Sequence, residues 1–126
     1  MAGLTSAITT TFKKELLEGD HDFNNGADTF KIALFKANSS ISGTYGAATT
    51  NYSDVTGNSD ETTGTGYSSG GNTLTNVDPT TSGTTAFTDF ADTSWTSATF
   101  TTRGAIIYNT NDGNSAVMII DFGADF

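Results

Sequence analysis

The only histidine of the chain, His21, stands between Asp20 and Asp22. An imidazole beside two carboxylates is the smallest set that could move a proton or begin a metal site. Successive residues project in different directions, however, and one His with two neighbouring acids falls short of a zinc set. The expectation is a polar turn. Asp89 and Asp92 form a second acid pair, but glycoside cleavage by two carboxylates also needs an aromatic-lined sugar cleft, and none is legible. Gly64-Thr65-Gly66-Tyr67-Ser68-Ser69-Gly70-Gly71 has the glycine content of a phosphate loop without its Gly-Lys-Ser/Thr ending or a following helix pattern, so it reads as turns around a strand. Asn109 to Gly113 approximates a calcium loop, but its Gly comes one place early and no Glu follows at the required distance. With no Cys, a thiol nucleophile, a thiolate metal site and disulfides are all excluded. No catalytic residue, cofactor site or metal site is assigned, and the chain is read as not an enzyme.

The elements that would position these residues are mostly strands. Thr99 to Phe122 contains two runs rich in β-branched and aromatic residues on either side of Asn111-Asp112-Gly113, a strong hairpin signal. A three-residue loop with a bulge would set Arg103 opposite Asp121, Ile106 opposite Met118 and Tyr108 opposite Ala116. One face would carry Phe100, Ile106, Tyr108, Ala116, Met118, Ile120 and Phe122; the other would have Ile107, Val117 and Ile119 near the turn. Thr29 to Lys36 is a clear strand, with Phe30, Ile32 and Leu34 on one face. Shorter strands are expected at Thr73–Val77, stopping at Asp78-Pro79, and between Thr85 and Asp92.

Leu4, Ile8, Phe12 and Leu16 recur every four residues, so an amphipathic helix is expected over about 5–18. Thr5 or Ser6 would cap its start, and Gly19 would follow its end. The tract of about 37–66 is Ser, Thr, Gly, Asn and Asp with scattered Ile41, Tyr45, Tyr52 and Val55. It is long for a loop and reads as a polar arm offering a contact surface. Trp95 reads as a core anchor ahead of a ligand stacker.

At 126 residues the chain is expected to be a single domain. The fold class is mainly β: an antiparallel β-sandwich or jelly-roll-like domain with one N-terminal amphipathic helix and a long polar loop. Fourteen acidic against five basic residues give a net charge of -9, which disfavours a nucleic-acid partner. The longest apolar run, Ala116 to Ile120, is far below the ~20 residues of a membrane-spanning helix, so no membrane partner is expected. No charged start followed by an apolar stretch suggests a secretory leader, so synthesis in a cytoplasm is expected.

Several phrases together carry a resemblance. They are Lys14 to Gly19 running to His21-Asp22-Phe23, Asp28 to Leu34, Gly66-Tyr67 with Gly70-Gly71, and Trp95 with Ala98-Thr99-Phe100. Thr102 to Asn109 and Ala116-Val117 running to Asp121-Phe122-Gly123 complete the set. In this order the chain resembles a family of short virion structural proteins encoded by tailed bacteriophages, especially those of aquatic bacteria. The match is weakest across Ala37 to Asp60. The resemblance implies a virion component, foremost a head decoration or cement protein on the outer capsid surface. Its partners would be the major capsid protein and copies of itself, with a trimer natural at three-fold positions. A tail or tail-fibre component and a host-surface carbohydrate binder are the alternatives, with Trp95 or the loop tyrosines stacking on sugar in the latter. The residues singled out for the interface are Tyr45, Tyr52, Val55, Ile107, Val117 and Ile119.

Overall fold

A computed structural model describes residues 2–126. The strands are β1 (Gly3–Leu4), β2 (Ala7–Ile8), β3 (Phe30–Leu34), β4 (Thr44–Tyr45), β5 (Asn72–Thr73), β6 (Asn76–Ser82), β7 (Thr85–Phe90), β8 (Gly104–Asn109) and β9 (Ser115–Asp121). The helices are α1 (Thr10–Glu18) and α2 (Tyr52–Gly57). The fold is mainly β, and the central sheet is antiparallel throughout, in the order β2-β9-β8-β3-β5.

The C-terminal hairpin forms as its residue types demand, with Tyr108 opposite Ala116. Further along, the expected register is corrected. A bulge leaves Val117 without an opposite residue, so Ile106 faces Ile119 and Gly104 faces Asp121. Val117 and Met118 consequently both join the α1 side, while Ile119 moves to the other. Arg103 still reaches Asp121, with Nε 2.7 Å from Oδ1, because a guanidinium spans the one-residue offset.

Both faces of the sheet are covered in a sandwich-like layering. On one side Phe30, Ile107 and Val117, with Ile32, Met118 and Ile120, meet Phe12, Phe23, Leu74 and Phe90. On the other, Ala33, Phe35, Ile106, Tyr108, Ala116 and Ile119 meet Ile41, Tyr45 and Val55, flanked by Leu4 and Tyr52. The tract of 37–66 is therefore the second layer over the sheet. Tyr52 lies in a helix, α2, whose capping box pairs Asn51 with Asp54.

The N-terminal helix begins later than expected. Ala7 and Ile8 pair with Ile119 and Met118 as an edge strand, and the helix starts only after Thr9. The Thr9 hydroxyl accepts from the Phe12 amide and donates to the Ala116 carbonyl, so one residue caps α1 and fixes it to β9. Gly19 ends the helix at φ +82°, as its position implied.

The segment that does project is β6–β7. Its strands join through Gly83-Thr84, with Gly83 at φ +60°, and residues 77–89 are exposed throughout. Pro79 lies inside β6 rather than ending it, at a register shift between Val77 and Thr80 that tolerates its missing N–H.

Candidate interaction surface

Polar residues hold the long tract in place, through two adjacent carboxylates that side with opposite ends of it. Asp60 accepts from the Ser42 amide (2.9 Å), the Gly43 amide (2.8 Å) and the Tyr45 hydroxyl (2.7 Å). Burial opposes its ionisation, but the hydrogen bonds from Ser42, Tyr45 and Gly43 outweigh this and hold its pKa below the usual aspartate range. Glu61 accepts from Tyr67 (2.6 Å) and the Gly70 amide (2.7 Å) on Oε1, and from Tyr52 (2.5 Å) and Ser69 (3.3 Å) on Oε2. Tyr67 in turn accepts from the Leu34 amide of β3 at 2.9 Å.

Both carboxylates are saturated with donors, and the phenols are held neutral. Burial, aided by Glu61, pushes Tyr52 up to about 12 and Tyr67 higher still. Burial likewise raises Tyr45. With its oxygens so engaged, Glu61 ties the tract to β3, through Tyr67, and to the turn of 67–70. Gly71 lets it approach the sheet: at φ +78° a Cβ there would stand 1.8 Å from the Ile32 carbonyl oxygen.

The polar turn expected at His21 proves to be part of a second buried cluster. Its ring is buried beside Phe12 and Phe30. Nε2 lies 3.0 Å from Glu15 Oε1 and 3.8 Å from Asp112 Oδ2, which together offer three metal-type ligands within 4.8 Å of one another. The other ring nitrogen decides against a metal. Nδ1 sits 2.9 Å from Asn109 Nδ2. That amide cannot turn over, because Nδ2 also donates to Asp28 and Oδ1 accepts from the Asn111 amide. Nδ1 must therefore accept, and the ring proton is on Nε2, donated to Glu15. A metal on Nε2 would require the reverse tautomer and a proton acceptor at Nδ1.

What the trio suits is a shared proton. Asp112 Oδ2 is buried with no donor, and burial together with the Glu15 carboxylate raises its pKa. Burial works against the ionisation of Glu15 too, but hydrogen bonds from Ser115, His21 and Asp112 win and lower its pKa. A proton held by Asp112 and offered to Glu15 satisfies both groups.

The six residues singled out for an interface are corrected by their burial. Tyr45, Val55, Ile107, Val117 and Ile119 are buried in the two cores, because each face of the sheet already has its own cover. Tyr52 is half-buried and stacks on Tyr108, with centroids 4.4 Å apart and planes 7° from parallel. Neither loop tyrosine is thus a free platform for sugar. Trp95 is half-buried beside Tyr67 and Phe100. Large apolar side chains reach solvent elsewhere: Leu16 and Leu17 on α1, Val77 and Phe87 on the arm, and Phe122 and Phe126 at the C-terminus. The α1 stripe carried part of this signal, since a helix with its first turn taken by β2 cannot bury every residue spaced four apart. The arm residues gave little, because alternation in a polar hairpin does not say whether a core lies beneath it.

Arg103 pairs with Asp121 and Lys14 with Glu18, which leaves Lys13 on α1 without an ion-pair partner among the described residues. No described helix is long and apolar enough to cross a membrane. Comparison with family models, with curated proteins and with solved structures finds no match.

Proposed function

We propose that this chain is a non-enzymatic structural protein of a bacteriophage virion, acting as a decoration or cement protein on the outer capsid surface. The observation that carries the reading is the exposed β6–β7 hairpin, with Val77 44% and Phe87 49% exposed. An isolated two-stranded hairpin is marginal in water, and an arm that projects with two apolar side chains on one face suits a contact element. The saturated state of Asp60 and Glu61 supports the same reading, since the polar groups that a catalyst would deploy are spent on the scaffold. The net charge of -9 favours the outside of a shell over contact with packaged DNA. The sequence resemblance supplies the virion.

A cement protein binds the assembled lattice and stabilises it by mass action. Particles stripped of the protein are expected to release DNA at lower temperature and lower salt than intact particles. Adding back the purified protein restores their resistance. Equal heat resistance with and without it would sink the cement role.

A further inference from the structure

Two exposed patches on this chain are complementary in both polarity and charge. The first is on the arm. Val77 pairs with Asp89, and Phe87 lies two residues from Asp89 on the same face of the ribbon, so an aspartate stands between two exposed apolar side chains. Phe90, on the opposite face, turns into the core beside Phe23 and Phe30. The second patch is on α1. Leu16 and Leu17 lie three and four residues beyond Lys13, hence over the same part of the helix; Leu17 is 91% exposed and Lys13 has no ion-pair partner among the described residues. Here a cation stands one helical turn from two exposed leucines.

Charge narrows the choice of occupant for the arm. Between Lys36 and Arg103 the sequence contains no Lys, Arg or His, while Asp78, Asp89 and Asp92 fall within or beside the arm. A surface that complements the arm in charge brings a cation, and the Lys13 face of α1 has one, a turn away from two exposed leucines. Geometry narrows the mode of contact. Asp78 and Pro79 blunt the β6 edge against strand addition, and the Val77–Phe87 face is the apolar surface that the arm exposes. The central sheet offers no long free edge either. Its outer strands are β2 and β5, of two residues each. Beyond β2 the backbone of β9 is held by Thr9, Thr50 and Ser6.

We propose that the β6–β7 arm of one copy docks its Val77–Phe87 face on the Lys13–Leu16–Leu17 face of α1 in a second copy. The contact is heterologous, arm to helix, so it propagates into a closed ring where the rotation between copies closes and into a chain where it does not. This deepens the structural-protein reading by naming the surfaces of its self-contact. It rests on that reading only for where the assembly sits, and self-association is measured on purified protein without particles.

The absence of native cysteine makes a directional test available. Phe87→Cys and Leu17→Cys each place one thiol at an exposed position. Under mild oxidation the mixture of the two variants is expected to give a disulfide-linked dimer containing one of each, and either variant alone to remain uncrosslinked. Sedimentation of Lys13→Glu or Asp89→Lys across a dilution series is expected to show association weakened roughly tenfold. The double variant Lys13→Glu/Asp89→Lys is expected to recover it. Circular dichroism confirms that each variant is folded, which exposure at all four positions favours. A native protein that stays monomeric at every concentration overturns the proposal. So does association indifferent to both charge reversals, or a Phe87→Cys variant that crosslinks to itself. Folded, monomeric protein that binds purified shells through the arm would also overturn it, by making the shell the occupant.

Discussion

Two carboxylate sites differ in what they do for the fold, and each yields a test at the level of single residues. Glu61 is nearly buried with four donors turned towards it. Glu61→Ala strands two phenols and an amide, at about 1–3 kcal/mol for each unsatisfied group. A loss of at least ~3 kcal/mol in denaturant unfolding is therefore expected, far more than for an exposed acid such as Asp89. The Glu15–His21–Asp112 cluster predicts a pH dependence instead. Asp112 has a raised pKa when folded, so its contribution is full below its unfolded pKa and is lost as pH rises through the folded value. Glu15 has a lowered pKa, so its contribution is present above its unfolded pKa and is lost as pH falls through the folded value. The groups facing the pair are His21, Ser115 and Asp20, with Asp28 behind Asn109. Melting temperature should decline as pH climbs out of the ordinary carboxylate range, and Asp112→Asn, which keeps a donor towards Glu15 at every pH, should flatten that decline. An unchanged slope in the variant would contradict the shared proton. None of this was legible in Gly19-Asp20-His21-Asp22. The partners of His21 come from α1, β8 and the turn after β8, and only the folded chain brings them to one place.

Among elements, those built on apolar periodicity could be read from the sequence and those built on polar anchoring could not. The alternation of Phe30, Ile32 and Leu34 gave β3, and the runs around Asn111-Asp112-Gly113 gave β8 and β9. The bulge at Val117 leaves no trace in the sequence because both faces of that strand are apolar, so the pattern does not penalise a one-residue shift. Ile119 rather than Ile120 is then the fully buried member, and Ile119→Ala is expected to cost about 2–5 kcal/mol by denaturant unfolding. The tract of 37–66 reads as an arm in the sequence because its few core residues, Ile41, Tyr45 and Val55, are spaced without a period and the rest of its anchoring is hydrogen bonding to Asp60 and Glu61. The real arm can be removed with little effect on the fold: replacing residues 79–88 with a short turn keeps Asp78, whose carboxylate accepts from the Asn25 amide at 2.7 Å. Because the deleted residues are exposed, unfolding free energy should change by no more than ~0.5 kcal/mol. Thermal unfolding checks this, and a large destabilisation would show that the arm braces its own domain.

At the scale of the whole molecule, the chain is an open five-stranded sheet covered on both faces, with an excess of acidic residues and one projecting hairpin. Its buried charges are committed to holding layers together, and its exposed apolar residues are concentrated on the elements that neighbours could reach. Such a division suits a part repeated many times over a surface. The proposed role as a lattice-wide decoration makes a stoichiometric demand. The copy number of this protein in purified particles, measured by quantitative mass spectrometry against the major shell protein, tests it most directly. The account predicts a ratio near one. A ratio of a few per hundred would place the protein at the tail or a unique vertex, and its absence from particles would contradict the virion reading itself.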